Sequence, residues 1–131
     1  MKKKEPEIGI VIDPTKAELE ILQAIWEMGP STVRQVNTFI NKRRFVNYSS
    51  TLKLMQIMYE KKLLKRDESN MKHIYDSAIE EYETKSLLID RFIGNLFGGS
   101  ASSLILQILG NEKASQNDLN KIKNILDKMK K

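Results

Sequence analysis

The sequence predicts a mainly α-helical protein in which three short helices run into a β-hairpin, with a further helical region behind it. Three observations carry that prediction. Apolar residues recur at helical spacing in three successive stretches up to about residue 62, each opened by a capping residue. The period then drops to two between residues 63 and 79, around a polar turn at Asp67-Glu68-Ser69-Asn70. Beyond residue 80 helical spacing returns, cut at Gly98-Gly99 and again at Gly110-Asn111. Three helices closed by a hairpin make a winged helix-turn-helix. Residues 1–79 therefore read as a winged-helix DNA-binding domain, and residues 80–131 as a C-terminal helical dimerisation domain.

Residues 1–12 form a basic leader that ends in a short extended piece at Ile10-Val11-Ile12. The first helix is announced by Pro14 and by Thr15-Lys16-Ala17-Glu18. In that capping box the threonine oxygen meets the N3 amide and the glutamate reaches back to the cap amide. Leu19, Leu22, Ile25 and Trp26 mark its buried face, with Ile21 beside them, and Trp26 reads as a core anchor. Gly29-Pro30 ends it. A second helix starts at Ser31 or Thr32, where Thr32-Val33-Arg34-Gln35 repeats the capping pattern. Its stripe is Val33, Val36, Phe39 and Ile40, and Asn41-Lys42-Arg43-Arg44 closes it with cations. Those cations either answer the negative helix end or meet DNA phosphates just before the next helix; the two readings are compatible.

The third helix is the candidate reading element. Asn47, Ser49 and Ser50 are its possible N-caps. Thr51, Leu54, Met55 and Met58 form the buried face, and Ser50, Lys53 and Gln56 the opposite one. Leu63 and Leu64 pack back, Lys65 and Arg66 lead the hairpin, and His73, Tyr75 and Ser77 alternate with Lys72, Ile74 and Asp76 as on a strand. The basic charge gathers here. Residues 31–77 carry ten Lys or Arg against four Asp or Glu, whereas the flanking segments are nearly balanced within a total of +5. A phosphate backbone needs its cations on such an element.

Residues 80–131 read as helices. Tyr82, Ile89, Ile93, Leu96 and Phe97 share a stripe, widened by Leu87, Leu88 and Phe92. Ser100, Ser102 or Ser103 caps a short helix that is apolar nearly all round from Leu104 to Leu109. Ser115 caps the last helix, whose stripe is Leu119, Ile122, Ile125, Leu126 and Met129. A region of about fifty residues cannot cover so apolar a helix alone, so burial against a second copy is expected. The expected dimer residues are Ile89, Phe92, Ile93, Leu96, Leu104, Ile105, Ile108, Leu109, Leu119, Ile122 and Leu126.

Several classes are excluded. The chain has no cysteine and a single histidine, His73, which removes disulfides, thiolate metal sites and a His-rich site. No catalytic constellation is present, no cofactor is implied, and Gly98-Gly99 lacks the pattern of a phosphate loop. No apolar run is long enough to insert in a membrane, and the leader lacks a signal-peptide core, so a cytoplasmic protein is expected.

At this point the residues become specific. AELEILQAIWEMGPSTVRQV, VNYSSTLKLMQIMYEKKLLKR and KHIYDSAI, followed by FGGSASSLILQIL and ASQNDLNKIKNILDKMKK, resemble the penicillinase-repressor family, the BlaI/MecI/CopY type of bacterial winged-helix repressors. The resemblance covers nearly the whole chain. It implies a homodimeric repressor that binds a pseudo-palindromic double-stranded DNA operator, and it places Ser49, Ser50 and Lys53 at family positions that meet DNA. Beside them, Leu52 is expected to face a thymine methyl, Gln56 to face a base or stay solvated, and Tyr48 to meet a phosphate or pack. Arg43, Arg44, Lys72 and His73 are expected to approach the flanking backbone. The resemblance also implies a link to antibiotic resistance and release by a membrane sensor-protease. Where relatives carry the cut Asn-Phe bond, this chain has Gln107-Ile108. Ile57 replaces an arginine of some relatives, and copper sensing through C-terminal cysteines is ruled out. Two other readings stay open: a regulator sensing a small molecule near Tyr82, Phe92 and Phe97, and a winged helix used only for protein contact.

Overall fold

The computed structural model describes residues 12–111 and 116–129. The element order is α1 (Lys16–Met28), α2 (Val33–Asn41), α3 (Tyr48–Glu60), β1 (Leu64–Asp67), β2 (Ile74–Ser77), α4 (Glu81–Phe97), α5 (Ala101–Leu109) and α6 (Gln116–Met129). Ile10, Val11, Ser115 and the side chains of Leu126 and Met129, which carried expectations above, lie outside the described residues.

Both capping boxes form. The Thr15 hydroxyl accepts the Glu18 amide at 3.2 Å while the Glu18 carboxylate accepts the Thr15 amide at 2.8 Å. Thr32 and Gln35 repeat the exchange at 3.2 and 2.9 Å. Gly29 stops α1 at φ 83° and ψ −167°, a region essentially reserved for glycine. The turned chain lets Ser31 pair with β2: its amide donates to the Tyr75 carbonyl at 2.9 Å, and the Tyr75 amide donates back at 2.8 Å. This one-residue third strand is absent from the sequence reading, because a single bridge has no period.

α3 ends differently. Lys62 sits in the left-handed region at φ 67°. The Leu63 amide returns to the Met58 carbonyl and the Lys62 amide to the Tyr59 carbonyl, both around 3 Å (2.9 and 3.0 Å). That is a Schellman closure with lysine where glycine is usual, and its accompanying apolar contact is supplied by buried Met58 and Leu63.

Ile21, Leu22 and Ile25 of α1, Val36 and Ile40 of α2, Met55 and Met58 of α3, and Leu63, Leu64 and Tyr75 of the hairpin form one buried core. Burying each such side chain is worth roughly 1.5–3 kcal/mol, against about 0–1 kcal/mol for an exposed ion pair, so this core holds the three helices and hairpin together. The hairpin register pairs Leu64 with Ser77 and Arg66 with Tyr75. Its loop runs from Glu68 to His73, longer than the four-residue turn expected; His73 therefore belongs to the loop and not to the strand. Trp26 locks α1 to the hairpin, its indole Nε1–H donating to Ser77 Oγ at 3.0 Å.

The chain divides into two compact units between Lys85 and Ser86. The first turn of α4 belongs to the first unit: Thr84 is buried there, and the Lys85 ammonium lies 5.6 Å from the Trp26 ring centroid. In the second unit Gly98 and Gly99, at φ 58° and 87°, separate α4 from α5, and Ser100 caps α5 through the Ser103 amide. None of the described side chains beyond Lys85 is buried. Among the described residues no single helix is long and apolar enough to cross a membrane.

Candidate nucleic-acid interface

The polar face of α3 is built by its cap and by the turn that precedes it. Of the three possible caps, Asn47 serves. Its Oδ1 accepts the Ser50 amide at 2.8 Å and the Ser49 hydroxyl at 3.0 Å. With Thr51, Met55 and Met58 turned into the core, Ser49, Lys53 and Gln56 fall on one exposed stripe, with Ser50 beside it. Hydroxyls, an amide and an ammonium at that spacing offer donors and acceptors suited to base edges in a major groove.

A buried amide network aims this helix. Asn37 is the one polar residue on the inner face of α2, and its Nδ2 donates to the Val46 carbonyl and to Thr51 Oγ1, each at 2.9 Å. Its Oδ1 accepts from Asn41 Nδ2 at 3.1 Å, and Asn41 Oδ1 accepts the Val46 amide at 2.7 Å. Val46, just before the α3 cap, is thus held at both its amide and its carbonyl by two asparagine side chains. Sequence reasoning missed both, although Asn37 stands four residues after Val33 on an otherwise apolar face, which was a legible signal.

A second polar bond ties α1 to the end of α3. Glu18 is 1% exposed, and its Oε2 accepts the Lys61 ammonium at 2.8 Å. Burial pushes this carboxyl up, but the Lys61 ammonium and the Thr15 hydrogen bonds outweigh it and hold the carboxyl below its ordinary range.

The expected contact residues do not all fall together. Ser49, Ser50, Lys53 and Gln56 share the α3 face, and Tyr48 begins it, with the Arg34 guanidinium 4.4 Å from its ring centroid. Leu52 does not point outward: it is half buried against the core, because one step round the helix from Thr51 lies at the core margin. Arg44 forks onto Glu20 of α1, with Nη2–Oε1 at 2.6 Å and Nε–Oε2 at 3.2 Å. The hydrogen bond to Glu20 raises the affinity of that guanidinium for its proton. Arg43 lines a recess between α1 and α2 with Glu20, Glu27 and Phe39, and Lys42 lies over the Phe39 ring. Lys72 and His73 are exposed in the hairpin loop, His73 at 4.0 Å from Glu68. Also unforeseen are Arg34 itself, exposed Phe45 before α3, and fully exposed Met71 at the tip of the loop.

In the second unit, Ile89, Phe92, Leu96, Leu106 and Leu109 are all exposed, and Leu104, Ile105 and Ile108 half-exposed. Phe92 and Phe97 meet edge to face at 5.8 Å. Gln107 is exposed on α5 beside half-buried Ile108.

Comparison with known proteins agrees with this architecture. The penicillinase repressor of Staphylococcus aureus is 26% identical over 120 residues, covering 92% of this chain and 95% of that protein. The methicillin resistance regulatory protein MecI of Mammaliicoccus sciuri is 26% identical over 114 residues, covering 87% and 93%. The penicillinase repressor of Bacillus licheniformis is 22% identical over 128 residues, covering 98% and 95%. The Penicillinase repressor family profile matches residues 14–128, and the chain belongs to that family.

Proposed function

We propose that this chain is a cytoplasmic, homodimeric transcriptional repressor whose α3 reads a pseudo-palindromic operator in double-stranded DNA. The observation that carries the reading is the exposed Ser49-Lys53-Gln56 stripe, capped by Asn47 and aimed by the Asn37–Asn41 network on a winged helix. Phosphate contacts supply affinity and its salt dependence, and this stripe supplies sequence preference. The exposed apolar faces of α4 and α5 support dimerisation through the second unit, since two recognition helices on a symmetric dimer address two half-sites. Occlusion of a promoter is the mechanism. Cutting of α5 at Gln107–Ile108 by a membrane sensor-protease would release it, a reading supported by the exposure of Gln107 and the lack of buried side chains in that helix.

The test is a binding titration on the DNA upstream of the protein's own gene against a random duplex, at two salt concentrations, with Lys53→Ala in parallel. Expected is tight, salt-sensitive binding to the upstream duplex. The variant should lose about 1–3 kcal/mol of discrimination between the two duplexes. Equal wild-type affinity for both would overturn the reading.

A further inference from the structure

We propose that Arg34, stacked on Tyr48, is a phosphate-contacting residue of the DNA interface, and that the pair forms one clamp across α2 and α3 on a backbone phosphate. The inference rests on the repressor reading above and adds to it a residue that the sequence did not single out.

The stretch between residues 31 and 77 holds four arginines: Arg34, Arg43, Arg44 and Arg66. Two are paired with carboxylates: Arg44 forks onto Glu20 at 2.6 Å, and Arg66 pairs with Glu68 at 2.8 Å. Arg43 lines a recess with Glu20 and Glu27 and forms no ion pair among the described residues. Arg34 is exposed, and among the described residues none of the ion pairs involves it. Its contact is with an aromatic face, 4.4 Å from the centroid of Tyr48.

The type of contact matters. A guanidinium held over a ring still has N–H donors free for a second partner. An in-plane fork of donors is the geometry that matches a phosphate oxygen pair. The stack also restrains a side chain that would otherwise roam, so less freedom is lost when the phosphate arrives. Tyr48 is the first residue of α3, directly before Ser49, so the clamp lies next to the stripe assigned to the bases. Tyr48 is 38% exposed, enough for its hydroxyl to share the same phosphate.

The experiment measures affinity against salt concentration for the full-length protein on a random-sequence duplex and on its own upstream duplex. Variants are Arg34→Ala, Arg34→Lys and Tyr48→Leu, each checked by far-UV circular dichroism. Arg34→Ala is expected to weaken both duplexes by the same factor, on the order of tenfold, and to lower the salt slope by about 1. Arg34→Lys should restore the slope but only part of the affinity, because the fork and the stack are lost. Tyr48→Leu should weaken both duplexes with a smaller change of slope. An unchanged slope in Arg34→Ala overturns the clamp while the repressor reading stands. Equal wild-type affinity for the two duplexes overturns the repressor reading instead.

Discussion

Single side chains decide how well α3 is aimed. Asn37 sits in the core with two donors and an acceptor all engaged, so its removal takes a partner from the Val46 carbonyl and from the buried Thr51 hydroxyl. Asn37→Ala is expected to cost about 1–3 kcal/mol in urea unfolding. Operator affinity should fall further than the loss of folded protein accounts for, since the turn loosens before the core does. The Glu18–Lys61 bond predicts an acid response. The folded carboxyl is held below its usual value of 4.5, so its contribution is complete above that pH and is lost as pH falls through the lowered folded value. Glu18→Gln should therefore flatten the acid limb of the stability curve. Lys61→Met should cost about 1–2 kcal/mol at neutral pH, because the buried carboxylate loses a charged partner. Thermal melts from pH 7 down to pH 3 check both. The sequence showed Glu18 as a cap residue but not as a buried ion-pair partner, since Lys61 stands 43 positions away and only folding joins them.

Helix ends supply a matched pair of opposite predictions. At Gly29 an added Cβ meets no atom, yet φ 83° with ψ −167° excludes other residues, so Gly29→Ala should destabilise by on the order of 1–3 kcal/mol through backbone conformation alone. At Lys62 the left-handed backbone is already imposed on an L-residue, and Lys62→Gly should stabilise by about 0.5–1 kcal/mol. Denaturant midpoints of the two variants should move in opposite directions. This scale was also the most legible from sequence. The capping boxes at Thr15 and Thr32, the stop at Gly29 and the buried stripe of α3 are local signals, and each formed as read. The hairpin loop was placed too short and the Ser31 bridge was missed, because both depend on where β2 lies in space. Leu52 and Arg44 illustrate the same limit at the candidate interface. Periodicity names the face of a helix, but the edge of the core and the reach of Glu20 are set by the packing of α1.

For the molecule as a whole, the contrast between its two units carries the argument. The first has a closed core, whereas the second shows apolar helices with no buried described side chain beyond Lys85. Composition showed the surplus of apolar surface in residues 80–131, and no single-chain property can say how a second copy would cover it. If that copy does so, light scattering will give twice the chain mass at micromolar concentration. Leu96→Glu or Leu106→Glu, both at well-exposed positions, should then yield monomers whose first unit melts unchanged. A monomeric wild type would refute the dimer.

Trp26 is the only tryptophan in the chain. Its indole is hydrogen-bonded to β2 and lies beneath the ammonium of the residue that closes the first unit. The protein therefore carries a native optical reporter at the place where α1, the hairpin and the start of α4 meet. Its emission is free of any second indole, and it can be followed during DNA binding or proteolysis without attaching a dye. Loosening of this junction should register as a red shift and a change in quenching, so events in the first unit become readable as light from one residue.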